Sequence, residues 1–132
     1  MPAVPTPFLF NAQVMDFHDG DTGTFYVDRG CRDYSTWTIR FDGCNAIELA
    51  QPGGVDARDE VKRRLPPGSA CVLATVKPDK YGNRLDARIF YVTADGVTHD
   101  LIADLIADGW AAAWDGTGPQ PKPAWPRPQG LQ

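Results

Sequence analysis

Three short runs of aromatic and β-branched residues, "AQVMDFH", "TGTFYVD" and "STWTIRF", follow one another between residues 12 and 41, broken by the turn-like "DGD" and "RGCRD". Side chains of this kind suit a pleated, half-buried surface, and breaks this short turn the chain back beside itself. An antiparallel meander is expected.

The next stretch changes character. In "QPGGVDARDEVKRRLPPGS", Val55, Val61 and Leu65 recur near helical spacing among charges, with "PGG" ahead of them and Pro66 and Pro67 behind. That pattern predicts an amphipathic helix of about three turns. Two further strands, "CVLATV" and "RLDARIFYV", flank the turn "KPDKYGN". A second helix is expected over "VTHDLIADLIADGWAAAW", where Leu101, Ile102, Leu105, Ile106 and Trp110 form an apolar stripe. Three strands, a helix, two strands and a helix describe an α+β, mainly β domain. The arrangement is that of a five-stranded OB-fold barrel, with a helix between strands 3 and 4 and a C-terminal helix. Residues 1–10 read as an extended, proline-bearing arm, 11–115 as the domain, and 116–132 as a Pro/Gly-rich tail. The tail either packs through Trp125 or serves as a linker or partner-binding strap.

Composition narrows the function classes. With 132 residues, 42% of them hydrophobic, the chain can bury one ordinary core. The net charge of −4 excludes a protein that holds nucleic acid by bulk phosphate attraction, so contact with phosphates must come from a few placed cations. No run reaches the roughly 18 apolar residues of a membrane span, and "MPAVPTPFLF" lacks the order of a signal peptide, so a cytoplasmic location is expected. Cys31, Cys44 and Cys71 are odd in number and widely spaced, which argues against a zinc site or a disulfide framework. Cys44 and Cys71 are expected as buried hydrophobes, His18 as a structural or exposed strand-end residue, and His99 as a capping or surface residue.

Four stretches could carry chemistry. "DGDT" at 19–22 is either ordinary turn chemistry or a place where a carboxylate meets a cation. "IRFDGCNAIE" at 39–48 supplies Arg40, Asp42, Asn45 and Glu48; "DKYGNR" at 79–84 is a charged turn; Arg84 and Arg88 lie on the strand beyond it. Taken together with "LIADGWA" at 105–111, and in this order over roughly residues 12 to 113, they resemble the staphylococcal nuclease-like (thermonuclease-like) family. The ending "AAAWDGTGPQPKP" is similar to the members carried by phages.

The resemblance implies a metal-dependent phosphodiesterase, typically calcium-dependent with magnesium or manganese as alternatives, that acts on DNA and RNA to leave 3′-phosphate ends. It further implies Asp21, Asn45 and the Ala46 carbonyl as metal ligands, Glu48 as the group that activates water, and Arg40 as a phosphate contact. Lys80 and Tyr81 would lie along the flanking phosphates. Elementary chemistry agrees with such roles. A hard cation and planar guanidinium groups both stabilise charge gathering on a phosphate under attack.

Two departures from the family pattern matter. Asn45 stands where the family has aspartate, and it brings no negative charge; Asp42 or Asp19 compensates, or Asp42 merely pairs with Arg40. After "DKYG" the family places arginine at once, whereas here Asn83 intervenes. Counting back from Ala87 and Ile89, expected in the core, makes Arg84 the second phosphate-binding arginine and Asn83 a one-residue lengthening of the turn. The alternative expectation is a catalytically impaired barrel of this kind that binds nucleic acid or a protein partner.

Overall fold

A computed structural model describes residues 8–79 and 82–128. The strands are β1 (Phe8–Asp19), β2 (Thr22–Asp28), β3 (Tyr34–Phe41), β4 (Cys44–Ala46), β5 (Ala70–Pro78), β6 (Arg84–Val92), β7 (Thr98–Asp100) and β8 (Ala111–Ala113). Helix α1 is Gly54–Arg64 and α2 is Leu101–Ala107. Five strands close on themselves in the order β3-β2-β1-β5-β6 through a parallel β3–β6 pairing, the other pairings being antiparallel. The result is a closed, mixed, five-stranded barrel compatible with the OB-fold. Counted along the barrel strands, α1 lies between the third and the fourth, as expected.

Alternation fills the barrel. On β2 and β3, Phe25, Val27, Ile39 and Phe41 turn inward and are fully buried, and Leu73, Ala87 and Ile89 meet them from β5 and β6. Phe17 packs edge-on against both Phe25 and Phe41, an arrangement aromatic rings favour. Cys44 and Cys71 are buried, and burial pushes both thiols up to about 12, so they behave as hydrophobes. Cys31 is exposed.

Three expectations change in detail. Phe8, Leu9 and Phe10 pair with β5 as the start of β1, and the rest of the expected arm lies outside the described residues. Val55 is exposed; α1 buries Ala57 and Val61, and Leu65 follows at its C-cap. The second helix is far shorter than its apolar stripe suggested. Thr98–Asp100 pairs with β6, and Ala111–Ala113 pairs with β4, so both flanks are strands. The Asp100 side chain caps α2 by accepting from the Ala103 N–H, and Gly109, at φ 79°, turns the chain out of it. Ile106 and Trp110 nonetheless pack against the core beside buried Leu101, Ile102 and Leu105. Among the described residues no helix is long and apolar enough to cross a membrane.

Candidate functional site

One end of the barrel carries a cleft of about 470 Å³. Its walls come from parts of the chain well separated in sequence, the end of β5 and the segment after β8 among them. The β1–β2 turn brings Asp19 and Asp21, the end of β3 brings Arg40, β4 brings Asn45, the loop after it brings Glu48, and β6 brings Arg84. Asp42 and Ala46 line it as well. Lys80 and Tyr81, expected along a phosphate path, lie outside the described residues.

The "DGDT" turn is held to the barrel by its second aspartate. Asp21 Oδ2 accepts the Ala46 N–H at 2.9 Å, and the Thr22 hydroxyl donates to Oδ1 at 3.1 Å. Asp19 accepts the Asp21 N–H at 3.0 Å, the side-chain turn that aspartate forms readily. Gly20 has no left-handed backbone to explain its identity. A Cβ there would lie 2.8 Å from Ala46 Cβ and 3.0 Å from Ala57 Cβ, so close packing of the turn against β4 and α1 demands glycine. Burial, and the neighbouring Asp21 carboxylate, push Asp19 up to about 7.

Arg40 spans the floor. Its Nη1 donates to the carbonyls of Phe41 at 3.0 Å and Cys44 at 3.1 Å, and its Nη2 donates to Asn45 Oδ1 at 3.3 Å. The guanidinium lies 3.8 Å from Asp21 Oδ2, and 5.4 Å over the Trp114 ring. Its carboxylate neighbour is therefore Asp21 and not Asp42. Asp42 instead continues past β3, donating its N–H to Ala87 O and accepting from Arg88 through its carbonyl.

Arg84 stands on the outer face of β6, opposite in sense to buried Ala87 and Ile89. Asp79 holds it with two bonds, at 2.6 and 2.8 Å, across the turn. Asp86 shares that outer face yet is buried where β6 runs alongside β3, in register with Arg40. Its Oδ1 has no hydrogen-bond partner among the described residues, and burial, with the Asp79 carboxylate beside it, raises its pKa. Sequence reading passed over Asp86, although the charged alternation Arg84, Asp86, Arg88 on a strand marks one outward face. Arg88 is turned to Asp100 at 2.7 Å and so belongs to the β6–β7 edge.

Glu48 is exposed and faces Lys122 of the tail at 3.4 Å. Asn45 donates its amide N–H to the carbonyl of Pro121 at 2.8 Å. His18 is exposed, its ring bonded to the Thr24 hydroxyl; His99 stacks on Tyr91 and contacts Asp104. Neither enters the cleft.

The oxygen donors of the cleft suit a hard cation, with a limit set by their number. Among the described residues, no three His, Cys, Asp or Glu side chains gather as a metal-holding group. A cation would rest on the crowded carboxylates of Asp19 and Asp21, whose mutual repulsion it relieves, together with neutral oxygens such as that of Asn45. No protein-family model matches the chain, and no curated protein matches it.

Proposed function

We propose that the protein is a metal-dependent nuclease of the staphylococcal nuclease-like type, hydrolysing phosphodiester bonds of DNA or RNA to 3′-phosphate ends. One observation carries the reading: Asp21, the stretch bearing Arg40, Asn45 and Glu48, and Arg84, three separate parts of the sequence, line a single cleft at the end of a barrel. Asp19, Asp21, Asn45 and the Ala46 carbonyl would hold calcium, or magnesium or manganese in its place. The bound cation would polarise the phosphate.

The remaining work falls to the protein's own groups. Arg40 and Arg84 present planar guanidinium forks from neighbouring strands, suited to paired hydrogen bonds with phosphate oxygens. Arg40 is preset by the two carbonyls that take its Nη1, and Arg84 by Asp79. Such donors, fixed before the substrate arrives, stabilise charge as it develops on the phosphorane. Glu48, at the solvent side of the cleft, would take the proton of the attacking water.

A second reading, a barrel that binds nucleic acid or a protein partner without cutting, is favoured by the engagement of Asn45 with Arg40 and of Glu48 with Lys122. Incubation with plasmid and single-stranded DNA in calcium, magnesium or manganese, beside a Glu48→Gln variant, separates the two. Metal-dependent cleavage lost in the variant supports the nuclease. Binding without cleavage in every metal supports the second reading.

A further inference from the structure

We infer that the cleft is a docking site for the protein's own C-terminal segment, and that residues 115–122 form a strap that closes it. The inference rests on the proposed function only for what the closed cleft excludes. The contacts themselves are geometric.

The segment is clamped at both ends. At one end, the Trp114 N–H donates to Gly43 O at 2.9 Å and its ring lies under Arg40. At the other, the Trp125 ring sits on Gly53, where any Cβ would fall within 2.4 Å of it, and approaches Trp110 at 6.3 Å. Arg127 lies 4.0 Å over the Trp110 ring and donates to the Asp108 carbonyl. Between these anchors the chain walls the cleft with Asp115, Gly116 and Gln120. It then touches the two groups that matter most: Pro121 O takes the Asn45 amide, and Lys122 Nζ faces Glu48.

The division of strength makes this a strap and not merely a packed tail. Its anchors use ring contacts of the half-buried Trp114 and Trp110 and of Trp125, which packs one face on Gly53, together with the charge-assisted bond of Arg127 to the Asp108 carbonyl. The Lys122–Glu48 pair is largely exposed, and such pairs contribute little. Pro119, Pro121 and Pro123 fix φ at three positions of the crossing segment and limit its conformations, so it can lift as a unit. While it is down, the Asn45 amide has its N–H on Pro121 and therefore its oxygen on Arg40, and Glu48 has an ammonium beside it. Lifting the strap frees Asn45 to turn its oxygen away from Arg40 and leaves Glu48 without its cation.

The test compares the native protein with a Trp125→Ala/Arg127→Ala variant, whose changes lie outside the cleft. Carbodiimide coupling, read by peptide mass spectrometry, measures the strap directly, because only a seated Lys122 condenses with Glu48. Binding of a fluorescein-labelled single-stranded octanucleotide with hydrolysis-resistant phosphorothioate linkages, in calcium, measures access. The coupling product is expected in the native protein and should fall several-fold in the variant, while affinity for the octanucleotide rises about 5- to 50-fold. If the double variant folds poorly, Trp125→Ala alone, which removes one anchor and leaves Arg127 on Trp110, should shift affinity the same way by a smaller factor. Loss of coupling with unchanged affinity overturns the strap while leaving the nuclease reading intact. Absence of coupling in the native protein also overturns it. If neither protein takes up the octanucleotide, the proposed function fails, and the same comparison with inorganic phosphate decides the strap: a fivefold gain upholds it and equal affinity overturns it.

Discussion

Arg40 donates through Nη2 to the amide oxygen of Asn45 at 3.3 Å, while the other end of that amide donates to Pro121. The orientation of the amide is therefore forced by its two partners, and Asn45 joins the cleft floor to the tail.

Replacing Asn45 by Asp should change both partnerships. The new carboxylate pairs with Arg40, adds a third anionic oxygen group near Asp19 and Asp21, and loses the bond to Pro121, whose carbonyl it repels. Calcium affinity should rise by about tenfold, since carboxylate count tunes such sites. Isothermal titration with calcium checks it; an unchanged or weaker affinity would place the cation away from Asn45.

A second prediction tests the strand register. Arg84 lines the cleft and is preset by Asp79, whereas Asn83 is an exposed turn residue. Arg84→Ala should lower the cleavage rate roughly 100-fold, the scale for losing one preorganised donor to a transition-state charge. Asn83→Ala should stay within about twofold. Equal losses in a single-turnover assay would show that turn position, and not strand face, selects the phosphate-binding group.

The parts of this architecture that were readable beforehand are those that repeat. Period-two burial of Phe25, Val27, Ile39 and Phe41, and of Ala87 and Ile89, placed β2, β3 and β6 closely and turned Arg84 outward. What escaped depends on partners distant in sequence. The three residues of β4 and the three of β8 make a ribbon only because each finds the other, and nothing in "CNA" or "AAA" announces it. The stripe around α2 looked longer because Trp110, past Gly109, still packs on the same core. Asp21 and Arg40 were found by motif, but their direct neighbourhood, with Asp42 turned elsewhere, required the barrel to close.

Gly20 offers a test of packing rather than chemistry. Because its Cβ would lie 2.8 Å from Ala46 and 3.0 Å from Ala57, Gly20→Ala must push the turn away from β4 and α1. A destabilisation of about 2 kcal/mol is expected, typical of overpacking in a tight site, and urea unfolding measures it. Asp21, bonded to the Ala46 N–H, would shift with the turn, so calcium binding should weaken as well.

Asp86 predicts a pH dependence. Burial and Asp79 raise its folded pKa above the ordinary 3.8, so between those two values the folded state binds more protons than the unfolded chain. Stability attributable to Asp86 is thus greatest at acid pH and is lost as pH rises through the folded value. Asp86→Asn keeps the shape, removes the charge and can donate to Asp79. The variant should be more stable than the native protein by about 1 kcal/mol at pH 8, with the gain disappearing near pH 3, where the native carboxyl is itself neutral. Urea unfolding at the two pH values measures the difference; a variant less stable at pH 8 would mean that attraction to Arg40 outweighs burial and Asp79, reversing the inferred direction.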